Sequence, residues 1–180
     1  MFAFLTKKKI SEKKLAGLFV SSILQLVDQA FPDVAGMINE DPEFEKSPKI
    51  ASNDADRFLM IVIAGNLQFI PKYFNDYQDI RLIDLITNQL ANTLNLDYIQ
   101  LKTHISRYQS RMKRLNMPSK NIHYGMSKAV FDRYKLNQFQ EEYFRNLNTP
   151  NPIFLKRLDD IIENFIWDWQ EIKEKYRLVD

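Results

Sequence analysis

The chain has 180 residues, 45% apolar and 13% aromatic, which is the usual size of one domain with its own core. It contains no cysteine, which excludes disulfides, thiolate metal sites and a cysteine nucleophile. Four glycines and seven prolines are too few for the tight turns of a β-sandwich or barrel, so the composition favours an all-α protein. We therefore predict a single helical domain over residues 1–180, a bundle of about six or seven helices.

The N-terminal segment is predicted to be a flexible arm over residues 1–10, followed by a helix that Ser11 caps and that ends near Ala30. Its lysines and the apolar stretch 15–27 superficially copy a signal peptide, but polar residues interrupt that stretch and no small-residue cleavage site follows. A buried amphipathic helix fits the pattern better. No run approaches the roughly 20 apolar residues of a membrane span, so we expect a soluble, cytoplasmic protein.

Two segments in the middle of the chain differ in composition, since the first is polar and the second is apolar. Residues 39–53 hold two prolines among acidic and polar residues, which predicts a long loop that Phe44 and Ile50 attach to the core. Residues 57–64 form an unbroken apolar run, for which a strand is the alternative to a helix. We favour a helix that Asn53 and Asp54 cap and that Pro71 kinks or closes. A further helix is predicted to start near residue 79.

The C-terminal half is predicted to contain three well-marked helix starts. Asp97 caps a fourth helix that runs to Leu115, and Ser119 caps a fifth. Asn151 precedes a proline at the first position of the last helix, whose apolar residues continue in steps of three and four to residue 176. A coiled coil is the alternative for this helix, but its additional apolar sides favour a central helix of a bundle.

The formal net charge of +2 is distributed unevenly. Residues 1–14 sum to about +4, residues 15–101 to about −7, residues 102–135 to about +8 and residues 136–180 to about −3. Asp132 is the one acid in the third block. A basic block of this kind inside a nearly neutral chain indicates a surface that meets an anion, an acidic part of the same protein, or an acidic face of another copy or another protein.

The basic block supplies the candidate binding residues. On the fourth helix Arg107, Arg111 and Arg114 are spaced by four and three and share one stripe, where guanidinium groups repel unless an anion lies between them. With Lys113 and Lys120 they predict a phosphate-binding surface, and Tyr108, His123 and Tyr124 would stack on bases if exposed. The alternative is ordinary ion pairing with acids of the middle section such as Asp76, Asp79 and Asp84.

The sequence contains no recognisable catalytic motif. The two histidines, His104 and His123, stand in no metal-binding pattern, and the four glycines are too far apart to form a phosphate loop. Acids at 159, 160 and 163 are interpreted as a solvent-facing cluster near a helix start. We therefore expect no enzymatic activity, no metal and no cofactor.

The favoured hypothesis is a non-enzymatic helical interaction module that associates with itself or with another protein, because several helices are apolar on more than one side. The first alternative is a nucleic-acid-binding protein that uses the basic helices of residues 97–135. The second is a small-molecule-binding protein or an enzyme whose site lies between helices.

Overall fold

The computed structural model describes residues 7–75 and 77–180, and it confirms the all-α class. Within these residues the chain forms eight α-helices and one pair of short strands. In chain order the elements are β1 (Lys8–Ser11), α1 (Glu12–Asn39), α2 (Asp56–Tyr73), α3 (Gln78–Leu94), α4 (Tyr98–Leu115), α5 (Ile122–Arg133), α6 (Glu142–Leu147), α7 (Pro152–Glu163), α8 (Trp169–Lys175) and β2 (Tyr176–Val179). A 3₁₀ turn over Leu136–Phe139 lies between α5 and α6.

The strand pair was not predicted. β1 overlaps the end of the predicted flexible arm and pairs in parallel with β2, with Ile10 opposite Leu178 and both of these side chains buried. The first six residues of the predicted arm lie outside the described residues. Strands of four residues carry too little periodicity to be recognised, and a partner about 170 positions away leaves no local signal.

α1 is longer than predicted, because it continues through Pro32 to Asn39. A proline inside a helix removes one main-chain hydrogen bond, and here the loss is offset by burial on both sides of it. Phe31, Val34 and Ile38 extend the buried side that Phe19 begins. The predicted end at Ala30 was therefore wrong, since tertiary packing outweighed the local helix-breaking signal.

α1 is also the one helix among the described residues that is long and apolar enough to cross a bilayer by length and composition. Its apolar side packs against α3 and α2, as in a core helix. Its first turn carries Glu12, whose side chain is 6% exposed and accepts hydrogen bonds from Arg81 Nη2 at 2.7 Å and Nε at 2.9 Å. This bidentate pair joins α1 to α3 at a buried position.

The predicted loop is confirmed between α1 and α2. Asn39 holds it by bonding the main-chain N–H of Ile50 at 2.7 Å and its C=O at 2.9 Å, and Phe44 packs 4.7 Å from the ring of Phe154. The following apolar run is helix α2, so the predicted helix is confirmed. Its caps were wrong: Ala55 stands at the N-cap without a side-chain bond, and Asp54 pairs with Arg57 instead.

α4 is confirmed with its predicted cap, since the Asp97 carboxylate accepts a hydrogen bond from the main-chain N–H of Gln100. α5 is capped by Asn121 rather than by Ser119, which instead accepts a bond from the N–H of Asn121. α5 therefore starts two residues later than predicted. It packs against α4, α2 and α7.

The last predicted helix is divided into two. α7 ends at Glu163 and α8 begins at Trp169, with the chain between them bound to the buried Asn66 of α2. The prediction of one continuous helix to residue 176 was therefore wrong, and so was its coiled-coil alternative. The break lets Trp167 and Trp169 pack edge to face at 5.0 Å, beside Phe19.

Candidate anion-binding surface and adjoining groove

α4 positions the candidate arginines because its apolar side is buried. Leu101, Ile105, Tyr108 and Met112 form that buried side, so the residues between them project outward. Arg107 is exposed, as is Arg114. Neither side chain makes an ion pair or a hydrogen bond with any described residue. Both guanidinium groups are therefore free to bind an anion.

Arg111 differs from the other two arginines because the chain supplies its anion. Its Nη2 lies 2.5 Å from Asp132 Oδ1 and its Nε 3.1 Å from Oδ2, and this hydrogen bonding raises the pKa of Arg111. The partner comes from α5, not from the middle section: Asp84 accepts a hydrogen bond from Tyr98, and Asp76 lies outside the described residues. The Asp132 carboxylate thus neutralises Arg111 and reduces the predicted repulsion among the three arginines of α4.

A fourth arginine completes the surface. Arg133 at the end of α5 lines the same depression as Arg107, Arg111 and Arg114, and Ser106 and Ser110 supply two hydroxyl groups, in a cavity of about 380 Å³. The Arg133 guanidinium carbon lies 4.3 Å from the ring centroid of Tyr108, and its Nε is buried without a hydrogen-bond partner among the described residues. We name this depression the arginine site.

Arg133 was not predicted to be a site residue, although it belongs to the basic block. It stands on another helix, so no spacing along α4 points to it. Its charge was the one signal in the sequence. Only the packing of α4 against α5 brings Arg133 beside the arginines of α4.

Lys113 and Lys120 do not belong to the arginine site. They line a separate depression between the end of α4 and the start of α5, together with Met117 and Ile122, with a volume of about 650 Å³. Lys113 points away from Arg107 because six residues on a helix correspond to a rotation of about 240°. The structure thus divides the five predicted anion-binding residues between two places.

The aromatic residues near the basic block do not form a stacking platform. Tyr108 is buried beneath Arg133, and its burial raises the pKa of its hydroxyl. His123 Nε2 lies 2.6 Å from the main-chain oxygen of Asp159, and Tyr124, which is partly exposed, is tilted against His123 at 5.5 Å. Stacking on bases requires open aromatic faces, which Tyr124 alone offers in part.

An apolar groove adjoins the arginine site. It has a volume of about 720 Å³ and lies between the start of α2, the end of α3 and the start of α4. Its apolar lining consists of Leu59, Met60, Leu94, Leu96, Ile99 and Leu101. Arg107 and His104 line its edge, and Asp56 is the one acid among the described lining residues. Arg107 also lines the arginine site, so the two depressions are neighbours that share this side chain.

The predicted solvent-facing acids behave differently from one another. Asp160 and Glu163 are exposed, but Asp159 is half-buried and its Oδ1 makes no hydrogen bond of normal geometry to a described residue. The nearby Ser127 hydroxyl is fully buried and also without a partner. The interpretation of Asp159 as solvent-facing was wrong, because α7 turns this side chain toward α5.

Burial raises the pKa of Asp159, and the opposing effects of Ser127, His123 and Lys128 are smaller than that of desolvation. The folded protein thus retains a proton on Asp159 at pH values where the unfolded chain has lost it, so stability falls as pH rises through that interval. We expect Asp159→Asn to gain stability relative to wild type as pH rises through and above the ordinary pKa of an aspartate, about 3.9. Urea unfolding across that range measures the difference.

The neighbouring Asp160→Asn is the matched control, because Asp160 is exposed. Its stability relative to wild type should not follow the same course. If the Asp159→Asn difference stays constant across the pH range, burial does not control this carboxyl group.

Within residues 7–75 and 77–180, no group of three or more histidine, aspartate or glutamate side chains is arranged to hold a metal ion. Comparison with known proteins finds no family model, curated protein or solved structure that matches this chain. A helical bundle does not by itself specify an activity, so the function of this protein depends on the residues that its surface presents.

Proposed function

We propose that this protein is a non-enzymatic helical interaction module, located in the cytoplasm, that associates with further copies of itself. The observation that carries the proposal is the apolar groove beside α4. Ile99 at its rim is 64% exposed and Leu96 is 50% exposed, while Leu59, Met60 and Leu94 form its half-buried floor. Apolar side chains that converge in a groove gain more from a partner than the same side chains scattered singly.

The occupant we propose is the α6 surface of a second copy. Tyr143 is 66% exposed and Leu147 is 57% exposed, and at positions i and i+4 they share one side of α6. Glu141 and Glu142 lie beside them, both exposed and without an ion pair among the described residues. Arg145, the basic residue of α6, is bound to Glu45 and to the main chain of Gln140. The α6 surface is therefore apolar and acidic.

Charge complementarity favours this pairing over two copies of the same groove. The groove edge and the arginine site present Arg107 and Arg114, which would repel each other across a symmetric contact but attract Glu141 and Glu142. A contact between two different surfaces is heterologous, so a pair of copies still has one free groove and one free α6 surface. Association by this mode extends into rings or chains.

The test uses one variant for each surface. Ile99→Glu places an acid in the first turn of α4, where the helix tolerates it, and disables the groove. Leu147→Lys disables the α6 surface. By sedimentation velocity at about 100 µM, wild type should form oligomers weakened by salt, and each variant alone should be a monomer. An equimolar mixture should form a dimer and stop there, because each variant supplies the surface that the other lacks.

Met37→Lys is the matched control, since Met37 is 53% exposed on α1 and belongs neither to the groove lining nor to α6, so the change should leave association unchanged. A wild-type chain that remains monomeric at this concentration would remove self-association. If the wild type forms oligomers but the equimolar mixture of the Ile99→Glu and Leu147→Lys variants stays monomeric, surfaces other than these two make the contact.

Nucleic-acid binding is the second candidate, favoured by the exposure of Arg107, Arg114, Lys113 and Lys120. It predicts salt-dependent binding to which both depressions contribute, since a nucleic-acid backbone presents phosphates over an extended path. The internal neutralisation of Arg111 and the separation of the lysines from the arginine site weigh against it. Titration with a single-stranded oligonucleotide separates the two functions, because a nucleic-acid-binding protein should bind it with an affinity that falls as the salt concentration rises.

A further inference from the structure

We propose that the arginine site binds a phosphate monoester. This inference goes beyond self-association, because it concerns a ligand of the arginine site rather than the apolar groove; Arg107 and Arg114 take part in both. Four guanidinium groups line one depression, and Asp132, which pairs with Arg111, is the one carboxylate bound to any of them among residues 7–75 and 77–180. No acid is among the described residues that line the depression, so the remaining positive charge is not matched there.

The arginine site is partly organised before any ligand binds. Asp132 holds Nε and Nη2 of Arg111, which leaves its third nitrogen free to donate. The Tyr108 ring holds the guanidinium plane of Arg133, whose buried Nε has no partner among the described side chains and main-chain groups. Two arginines are thus positioned by contacts behind them, which lowers the entropic cost of binding. Arg107 and Arg114 have no such contacts and can adjust to the ligand.

A phosphate monoester matches this donor set better than a carboxylate does. It carries up to two negative charges and three terminal oxygens, whereas a carboxylate carries one charge and two oxygens. Planar guanidinium groups donate pairs of parallel hydrogen bonds to such oxygens, and Ser106 and Ser110, one helical turn apart, add two hydroxyl donors. A cavity of about 380 Å³ accommodates a phosphate group with a small part of the molecule that carries it.

The compactness of the arginine site also argues against a polymer. The phosphates of a nucleic acid are spread along a strand and are met by charges distributed over a wide surface. Here the guanidinium groups converge, and Lys113 and Lys120 line a different depression. The ligand is therefore either a phosphorylated side chain of a partner or a free phosphate monoester, both of which offer the same terminal group.

The experiment is isothermal titration calorimetry of the full chain with inorganic phosphate, with a phosphoserine peptide and its unphosphorylated form, and with a single-stranded oligonucleotide. Phosphate and the phosphopeptide should bind saturably, and the unphosphorylated peptide should not bind. Tighter binding of the phosphopeptide than of phosphate identifies a phosphorylated protein as the source, and equal affinities identify a free phosphate monoester. Arg114→Gln should weaken binding about tenfold, because charged hydrogen bonds to the ligand are lost.

Lys113→Gln is the matched control, because it removes the same charge from the next residue of the same helix, outside the arginine site. It should leave phosphate affinity unchanged. Because Arg107 and Arg114 are exposed and make no hydrogen bond or ion pair with a described residue, neither Arg114→Gln nor Arg107→Gln should disturb folding, and thermal unfolding of both variants verifies this. Equal losses for Lys113→Gln and Arg114→Gln, an absence of saturable phosphate binding, or an oligonucleotide that binds more tightly than the phosphopeptide would each overturn the proposal.

Discussion

Replacing Asn66 by leucine is expected to lower the free energy of unfolding by about 3 kcal/mol, because two main-chain groups lose their hydrogen bonds. The Asn66 amide donates to Phe165 C=O at 2.8 Å and accepts from Trp167 N–H at 2.8 Å, and its side chain is fully buried. Leucine is similar in size but can do neither. Urea denaturation followed by circular dichroism measures the change.

Asn164→Ala is the control for this prediction. Asn164 lies in the same break between α7 and α8, but it is exposed and bonds only main-chain oxygens of its own helix. Its loss should change stability by no more than about 0.5 kcal/mol. Equal effects of the two substitutions would show that the break does not depend on α2.

Replacing Gly65 by alanine should cost about 2 kcal/mol, because the added methyl group overlaps Met126. A Cβ at this position would lie 2.3 Å from Met126 Sδ and 2.7 Å from Cγ, far inside van der Waals contact. Met126 is fully buried between α2 and α5, so it can move only by displacing its neighbours. Thermal and urea unfolding of the variant give the magnitude.

The same glycine-to-alanine substitution at Gly36 should have the opposite effect on stability. A Cβ at Gly36 meets nothing within 4 Å, so alanine should stabilise α1 by about 0.5–1 kcal/mol through its higher helix propensity. The double variant Gly65→Ala with Met126→Ala should lose less stability than the sum of its two single changes, since removing the methionine relieves the overlap. Additive losses would contradict the proposed contact.

The candidate site was predictable in part. Spacing along the sequence placed Arg107, Arg111 and Arg114 on the outer side of a helix, because the apolar residues between them must face the core. It did not reveal the Asp132 pair or the contribution of Arg133, since both depend on how α5 crosses α4. The acidic α6 surface was not predicted either, because six residues are too short to show a periodic pattern.

The sequence by itself determined the all-α class, the long loop before α2, and the helix starts at Asp97 and Asn151, because apolar periodicity and capping residues act within a few positions of the chain. Tertiary structure alone decided where α1 ends, where α7 breaks and which residues form β1 and β2. In these places the local signal was outweighed by partners distant in sequence: burial beyond Pro32, the Asn66 amide, and two strands that pair although about 170 positions separate them.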